Sequence, residues 1–168
     1  RKADAFQALD LTLHLGQRAT ALDPTGRTVT LADGGTIAFD GCVIATGAHC
    51  RRLPNQPNLA GIFELRTIDD SLALRDALAM GTPKVCVIGA GFIGAEVAAT
   101  ARERGLEVTI VEALPVPLLR GLGAQMGPAC AAIHGDHGVD LKLGVGVDGF
   151  LGASRVEAVR LNDGTVIE

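Results

Sequence analysis

Three glycines at a fixed spacing, Gly89, Gly91 and Gly94, separate an apolar run that starts at Val85 from an alanine-rich segment. This spacing suits a strand that turns sharply into a helix. The first glycine permits the turn, the second lets a ligand approach the main chain, and the third lets helix and strand pack closely. Backbone N–H groups and the positive end of the helix then face one point. The pattern predicts a cradle for a pyrophosphate.

An acid at the end of the next predicted strand, Glu112, indicates which nucleotide the cradle would take. A carboxylate there can accept hydrogen bonds from ribose hydroxyls. It would repel a 2′-phosphate by on the order of 4 kcal/mol per like charge at about 4 Å, and no basic residue follows before Arg120. These residues favour NAD over NADP. The alternatives are a strand-to-helix turn without a ligand and an exposed acid at a strand end.

The hydrophobic pattern predicts the elements that must position these residues. They alternate as strand, helix, strand, helix, strand, which makes a right-handed βαβ unit and its extension. The predicted elements are 85–88, about 92–104, 107–111, about 123–137 and 139–143. Upstream, residues 69–80 predict another helix, with Asp69 or Asp70 as its cap. The pattern therefore predicts a parallel sheet with crossover helices.

The first third of the chain predicts β structure. Residues 11–15 alternate in polarity, and the segments 19–22 and 28–31 are bounded by turn sequences. An apolar strand is predicted over residues 39–47. The stretch 51–58, rich in proline and asparagine, is the best candidate for a linker. Hairpins that lead into a buried strand and then a domain boundary are expected.

An internal repeat indicates two related nucleotide-binding domains. Residues 159–168 resemble residues 29–40, each with a strand, an Asp-Gly turn and a returning strand. After the first copy the chain continues into the segment Ala45-Thr46-Gly47, whereas the second copy stops before any equivalent strand. We therefore predict two domains, residues 1–52 and residues 53–168, with the second cut short before its last strand.

The composition excludes several classes of protein. With 168 residues, 48% of them hydrophobic, and a net charge of -4, the chain can bury a core. Its 15 lysines and arginines form no basic run, which argues against binding nucleic acid or an anionic membrane surface. No apolar stretch reaches the roughly 20 residues of a membrane span.

The cysteines and histidines suggest neither a metal nor a nucleophile. No metal-ligand spacing joins the cysteines, which indicate small core residues in a reducing cytoplasm. They are Cys42, Cys50, Cys86 and Cys130. His134 and His137 indicate a solvated helix end, because no further ligand follows nearby. We assign no metal ligand and no catalytic side chain.

Together these motifs resemble one family: the FAD-dependent NADH:ferredoxin reductases of bacterial dioxygenases and cytochromes P450, within the pyridine nucleotide-disulfide oxidoreductase superfamily. The resemblance extends over nearly the whole chain. The motifs that carry it are residues 39–48, Leu53-Pro54, residues 65–70, residues 87–96 and residues 137–140. It implies an α/β fold in which a Rossmann-like NAD-binding domain, a parallel sheet with crossover helices and a β-meander, is preceded by a β-rich fragment of an FAD-binding domain.

The resemblance implies a set of contacts to NADH. The residues that would hold the dinucleotide are Gly89, Gly91, Phe92, Ile93, Gly94 and Glu112. Glu96 would lie near the nicotinamide end and Arg120 towards the adenine. Glu96 is expected in the first helical turn, where it would equally suit the helix dipole. Relatives often carry a basic residue where this chain has Val116, which leaves one contact open.

The resemblance also implies contacts to FAD. Thr46 and Gly47 would lie near the flavin nucleotide, Arg51 would be a contact, and the backbone of Ala19 would meet the adenine. The alternatives are an ordinary strand end and an exposed linker charge. The motif for the FAD pyrophosphate is expected before the first residue and an interface domain after the last, so the chain is expected to be an internal fragment.

The activity implied is that of an FAD-dependent NADH:acceptor oxidoreductase, in which hydride passes from NADH to FAD and electrons pass singly to a 2Fe–2S ferredoxin. Sister enzymes remain alternatives because the fold does not fix the acceptor: NADH oxidase, nitrite reductase and monodehydroascorbate reductase. A second class is a stand-alone NAD-binding or NAD-sensing module without flavin. The segment Ala45-Thr46-Gly47 and the matched hairpins count against that class.

Overall fold

The computed structural model describes residues 9–54 and 56–168. Residues 1–8 of the first predicted domain and residue 55 of the predicted linker lie outside the described residues. The chain divides into two compact units between Gly47 and Ala48. This division precedes the predicted boundary, so Arg51 belongs to the second unit. That the units represent an FAD domain and an NAD domain stays a prediction.

The first unit is built around an antiparallel meander. Its strands are β1 (Ala19–Asp23), β2 (Thr28–Leu31) and β3 (Thr36–Ala38). The predicted Asp-Gly turn joins the last two strands: Gly34 has φ 86° and the Gly35 N–H donates to Asp33 Oδ1 at 2.9 Å. Such a turn needs a residue that tolerates positive φ, which glycine does.

Two strands predicted in this unit are absent. Residues 11–14 and 42–50 have no regular structure, so the predictions of strands over 11–15 and 39–47 were wrong. Val43 and Ile44 are 89% and 70% exposed. An apolar strand needs neighbours to take its backbone hydrogen bonds and cover its faces. Within residues 9–47 no strand pairs with the segment that ends in Gly47.

The second unit begins its regular structure with helix α1 (Ile68–Leu78), whose N-cap is Thr67. The Asp70 N–H donates to the Thr67 hydroxyl at 3.1 Å, and the Thr67 N–H donates to the Asp70 carboxylate at 2.8 Å. In this reciprocal capping box each of the two side chains accepts the backbone N–H of the other residue, so both N–H groups have a partner. The prediction that Asp69 or Asp70 is the cap was therefore wrong.

The capping box makes stability depend on pH. Hydrogen bonds from the Thr67 backbone, the Thr67 hydroxyl and the Arg66 backbone hold the pKa of Asp70 below its ordinary 3.8. A lowered folded-state pKa contributes stability that is present above about pH 4 and is lost as pH falls through the folded pKa. Asp70→Asn should therefore lower the free energy of unfolding in urea at neutral pH, with a difference that shrinks towards pH 3. Asp69→Asn is the control, and an equal pH dependence in both variants would contradict the assignment.

A parallel sheet lies at the centre of the second unit. Strands β4 (Val85–Ile88), β5 (Val108–Glu112) and β6 (Asp140–Leu143) pair in that order. Helices α2 (Phe92–Glu103) and α3 (Leu119–Asp136) connect them. The structure thus confirms the predicted βαβ unit and its extension. Because parallel strands share one orientation, their carboxyl ends meet at one edge of the sheet.

The two faces of this sheet bury different partners. Ile110 is fully buried with Ala98 and Ala101 of α2, whereas its neighbour Val111 is buried with Leu161 of the following meander. Successive side chains of a strand point to opposite faces. The helices therefore cover one face and the meander covers the other.

That second meander consists of β7 (Val147–Leu151), β8 (Ala158–Leu161) and β9 (Val166–Ile167). Its turn matches the one in the first unit: Gly164 has φ 88° and the Thr165 N–H donates to Asp163 Oδ1 at 2.9 Å. A bulge also recurs, since the register shifts between Ala19 and Ala21 in β1 and between Val147 and Gly149 in β7. The sequence repeat is therefore a structural repeat.

Helix α3 starts earlier than predicted, at Leu119, and bends at Gly123, whose φ of 78° and ψ of 172° are not helical. The predicted start near residue 123 corresponds to this bend. Pro128 lies inside the helix beyond it. None of the helices in the described part of the chain has the length and apolarity that crossing a membrane requires.

Candidate functional site

The glycine loop at the end of β4 has an open side. Gly89 has φ 102°, a conformation that favours glycine, and its N–H donates to the Val111 carbonyl at 2.8 Å. Gly91 is the N-cap of α2, with φ −77° and ψ −178° and no side-chain cap. A Cβ added to Gly91 would have no atom within 4 Å. The backbone here is accessible to a ligand.

Gly94 faces the opposite way, into the packing between helix and strand. A Cβ there would overlap the carbonyl oxygen of Gly89 and lie 3.2 Å from a methyl of Val87. The helix therefore approaches the strand more closely than any side chain would allow. This contact fixes the direction in which α2 points its first turn.

The first turn of α2 leaves backbone N–H groups available for an anion. The first intrahelical bond runs from the Ala95 N–H to the Gly91 carbonyl at 2.9 Å, which leaves earlier N–H groups free for a ligand. No acidic residue lies in this turn. The expectation that Glu96 lies there was wrong, because α2 begins at Phe92 and Glu96 falls one turn further on. An anion at the N-terminus would therefore meet no competing carboxylate in the first turn of the helix.

Glu112 lies beside the glycine loop at the carboxyl edge of the sheet. One carboxylate oxygen, Oε2, accepts the Ala90 N–H at 2.7 Å, and the other, Oε1, accepts the Leu114 N–H at 2.9 Å. The side chain is half-buried. A carboxylate has about four acceptor sites, so about two remain for further donors.

The loop after β5 returns to the glycine loop before α3 starts. Leu118, with φ 55°, donates its N–H to the Ala90 carbonyl at 2.9 Å. In the next turn, a Cβ on Gly121 would lie 2.6 Å from the ring of Phe92. The starts of α2 and α3 are therefore in contact, and Arg120 is exposed in the first turn of α3.

Two glycines of α3, residues that are unfavourable in a helix, lie where the helix approaches other side chains closely. Gly121 meets Phe92, and Gly127 is buried where a Cβ would overlap the side chain of Val116. Val116 thus packs against the helix. Sequence reasoning missed both contacts, although a buried helix position occupied by glycine is a signal of close approach.

The structure brings the candidates for NADH together at one edge of the sheet in the second unit. Gly89 to Gly94, Glu112 and Arg120 all lie at the carboxyl edge of one sheet or on the helices that start there. Ala19 is an exposed residue of β1, whereas Thr46 and Gly47 are exposed and outside any strand. Arg51 lines a cavity of about 730 Å3 in the second unit. Their contacts to FAD stay predictions.

The same cavity runs along β4 and contains two cysteines, Cys50 and Cys86. Burial raises the pKa of the Cys86 thiol to about 11, so this thiol is protonated and unreactive near neutral pH. Burial, and the nearby His137, lower the pKa of His134. Among the described residues no group of three or more potential metal ligands is present.

Comparison with protein families identifies the fold. The family model of the pyridine nucleotide-disulphide oxidoreductases matches residues 2–168. The chain belongs to this family. Its α/β architecture and the glycine loop at the sheet edge agree with that membership.

Individual relatives narrow the comparison. The chain is 39% identical over 164 residues to the ferredoxin–NAD(+) reductase subunit of the benzene 1,2-dioxygenase system of Pseudomonas putida, covering 97% of this chain and 40% of that protein. A crystal structure of a ferredoxin reductase from Rhodopseudomonas palustris has a TM-score of 0.86 and 36% identity, over 99% of this chain and 41% of that one. The covalent putidaredoxin reductase–putidaredoxin complex has a TM-score of 0.82 and 32% identity, over 99% and 42%. The chain spans about 40% of the curated relative it matches.

Proposed function

We propose that the chain is the nucleotide-binding part of a flavoprotein reductase that takes electrons from NADH and delivers them to a 2Fe–2S ferredoxin. The main support is the 39% identity to a ferredoxin–NAD(+) reductase subunit along 97% of the chain. NADH would supply a hydride to FAD, and the reduced flavin would release electrons one at a time. Two ferredoxins would then be reduced for each NADH.

The second unit would bind the NADH. The free N–H groups at the start of α2, from Gly91 to Gly94, would hold the pyrophosphate, aided by the positive end of the helix. Glu112 would accept the adenosine ribose hydroxyls. Phe92 and Ile93, each 56% exposed at this N-terminus, would cover the dinucleotide, with Glu96 towards the nicotinamide and Arg120 towards the adenine.

The first unit would contribute to the FAD site. Ala19, Thr46 and Gly47 would lie along the flavin nucleotide, together with Arg51. The support here is the resemblance of the motifs and the repeat of the meander, which suits two nucleotide sites of related design. We place the protein in the cytoplasm, where thiols stay reduced, in keeping with the free state of Cys42, Cys50, Cys86 and Cys130.

The complete reading frame that contains these 168 residues provides the test. Its purified product should show flavin absorbance, lose that absorbance on anaerobic addition of NADH, and reduce a 2Fe–2S ferredoxin in a steady-state assay. A product that binds NADH without flavin or turnover would support a stand-alone NAD module instead. Turnover with oxygen, nitrite or monodehydroascorbate but not ferredoxin would favour a sister enzyme.

Glu112→Ala should change the choice between NADH and NADPH. Removing the carboxylate removes the acceptor for the ribose hydroxyls and the repulsion of a 2′-phosphate, which we estimate at on the order of 4 kcal/mol before solvent relaxation. The ratio of kcat/KM for NADH over NADPH should fall by roughly tenfold or more. Glu107→Ala, at the opposite edge of the sheet, is the control. An unchanged ratio would show that Glu112 does not face the ribose.

A further inference from the structure

We infer that Glu112 is also a positioning residue, which holds the glycine loop in its binding conformation before any nucleotide arrives. Its two oxygens accept two backbone N–H groups that belong to different segments, Ala90 at 2.7 Å and Leu114 at 2.9 Å. Hydrogen bonds to an ionised acceptor are about twice as strong as neutral ones. The consequence for binding builds on the proposed NADH site, whereas the loop contact itself does not.

Both backbone polar groups of Ala90 are hydrogen-bonded within the protein. Its N–H donates to Glu112, its carbonyl accepts the Leu118 N–H at 2.9 Å, and the residue is 1% exposed. The residue before it, Gly89, donates to the Val111 carbonyl at 2.8 Å. Ala90 therefore cannot turn its N–H towards a ligand without breaking a charge-assisted hydrogen bond.

This arrangement divides the donors of the loop into two groups. The Ala90 N–H serves the protein, and the N–H groups from Gly91 onward remain for the pyrophosphate. The same carboxylate keeps about two acceptor sites, enough for two ribose hydroxyls. Glu112 would thus link ribose recognition to the shape of the phosphate cradle.

Glu112 also connects the loop to the rest of the sheet edge. Its own carbonyl accepts the Val145 N–H at 3.2 Å, and the Leu114 carbonyl accepts the Gly144 N–H at 3.0 Å. Leu118 keeps a left-handed φ of 55°, a conformation that a residue with a Cβ rarely adopts. A conformation of this kind persists only where its surroundings enforce it, and the bond from Leu118 to Ala90 belongs to those surroundings.

Glutamine at position 112 separates this role from simple packing. It has the volume of glutamate, but only one of its two terminal atoms accepts hydrogen bonds. In Glu112→Gln the side-chain amide would face either the Ala90 N–H or the Leu114 N–H, donor against donor. One of the two backbone N–H groups would lose its acceptor even though the side chain keeps its volume.

Hydrogen exchange of the nucleotide-free protein tests the inference, because it requires neither NADH nor turnover. In Glu112→Gln, the amide of Ala90 or of Leu114 should exchange roughly tenfold faster or more, and in Glu112→Ala both should. The amide of Ile110, in the centre of β5, reports global opening and should accelerate by no more than the amides of Ala90 and Leu114. Glu107→Gln is the matched control and should leave all three amides as in the wild type.

Two results would overturn the inference. Unchanged exchange at both Ala90 and Leu114 in Glu112→Gln and Glu112→Ala would show that the carboxylate does not hold the loop. Acceleration at Ile110 without acceleration at Ala90 or Leu114 would show that the carboxylate supports the sheet and not this loop. If the wild-type protein does not bind NADH, the proposed function is refuted. The role of Glu112 in holding the loop would still be decided by the exchange rates.

Discussion

Replacing Gly91 with serine should stabilise the protein and at the same time weaken NADH binding strongly. Gly91 is the N-cap of α2 in the extended conformation that N-cap residues adopt, and it supplies no side-chain cap. A serine hydroxyl would accept an N–H of the first turn. Because serine is a better N-cap than glycine by a few tenths of a kcal/mol, the free energy of unfolding should rise by about that much.

Binding should respond in the opposite direction. A Cβ at Gly91 meets no protein atom within 4 Å, so it would occupy the side from which a pyrophosphate approaches. The hydroxyl would also take one of the N–H donors that the phosphate needs. Losing one charge-assisted hydrogen bond, together with the steric effect of the Cβ, corresponds to roughly a hundredfold weaker binding.

Urea unfolding and NADH titration by calorimetry measure the two effects on one variant. Gly91→Ala is the matched comparison: it adds the Cβ without the acceptor, so it should weaken binding and lower stability by about 1 kcal/mol relative to the serine variant. Wild-type affinity in Gly91→Ser would mean that the phosphate does not sit at this helix terminus, and the proposed NADH site would be wrong.

Gly94→Ala should destabilise the second unit severely. The added Cβ would overlap the carbonyl oxygen of Gly89, which is a backbone atom in a conformation with φ 102° and cannot move away cheaply. Overpacking typically costs about 1–3 kcal/mol and more where backbone must shift, so we expect a loss of about 3 kcal/mol. The midpoint of urea unfolding measures it.

Gly135→Ala controls for the loss of a helical glycine. Gly135 also lies in a helix, α3, but a Cβ there would have nothing within 4 Å. Alanine should be neutral at this position or stabilise the protein by up to about 1 kcal/mol, because it loses less backbone entropy on folding. Similar destabilisation in both variants would show that the close contact between α2 and β4 is not what requires Gly94.

The sequence predicts those elements of the fold that are determined by residues close together in the chain. The βαβ unit follows from runs of apolar residues broken by Gly89 and Gly105, and both Asp-Gly turns follow from their own residues. The strand expected over 39–47 fails because a strand depends on partners, and the described residues of the first unit provide none for it. Propensity alone cannot supply the missing hydrogen bonds.

The same distinction between local patterns and long-range contacts applies to the candidate site. The glycine spacing and the acid at the end of β5 are visible in the sequence, and the structure brings them to one edge. The bonds from Glu112 to Ala90 and from Leu118 to Ala90 join residues distant in the chain, so no local pattern could predict them. The contact of Gly127 with Val116 is of the same kind.

The bulge shared by the two meanders bears on how the protein evolved. A meander does not require a bulge, and bulges are conserved among related sheets, so an irregularity at the same place in both copies is what gene duplication would produce. At the bulges, the hydroxyl of Thr20 donates to the Thr30 carbonyl at 3.2 Å, whereas Asp148 accepts from the side chain of Arg160 at 2.7 Å. At equivalent bulge positions, one meander thus has a hydrogen bond from a hydroxyl to a carbonyl and the other has an ion pair between a carboxylate and a guanidinium. The two copies share the path of the backbone and differ in the chemistry that holds it.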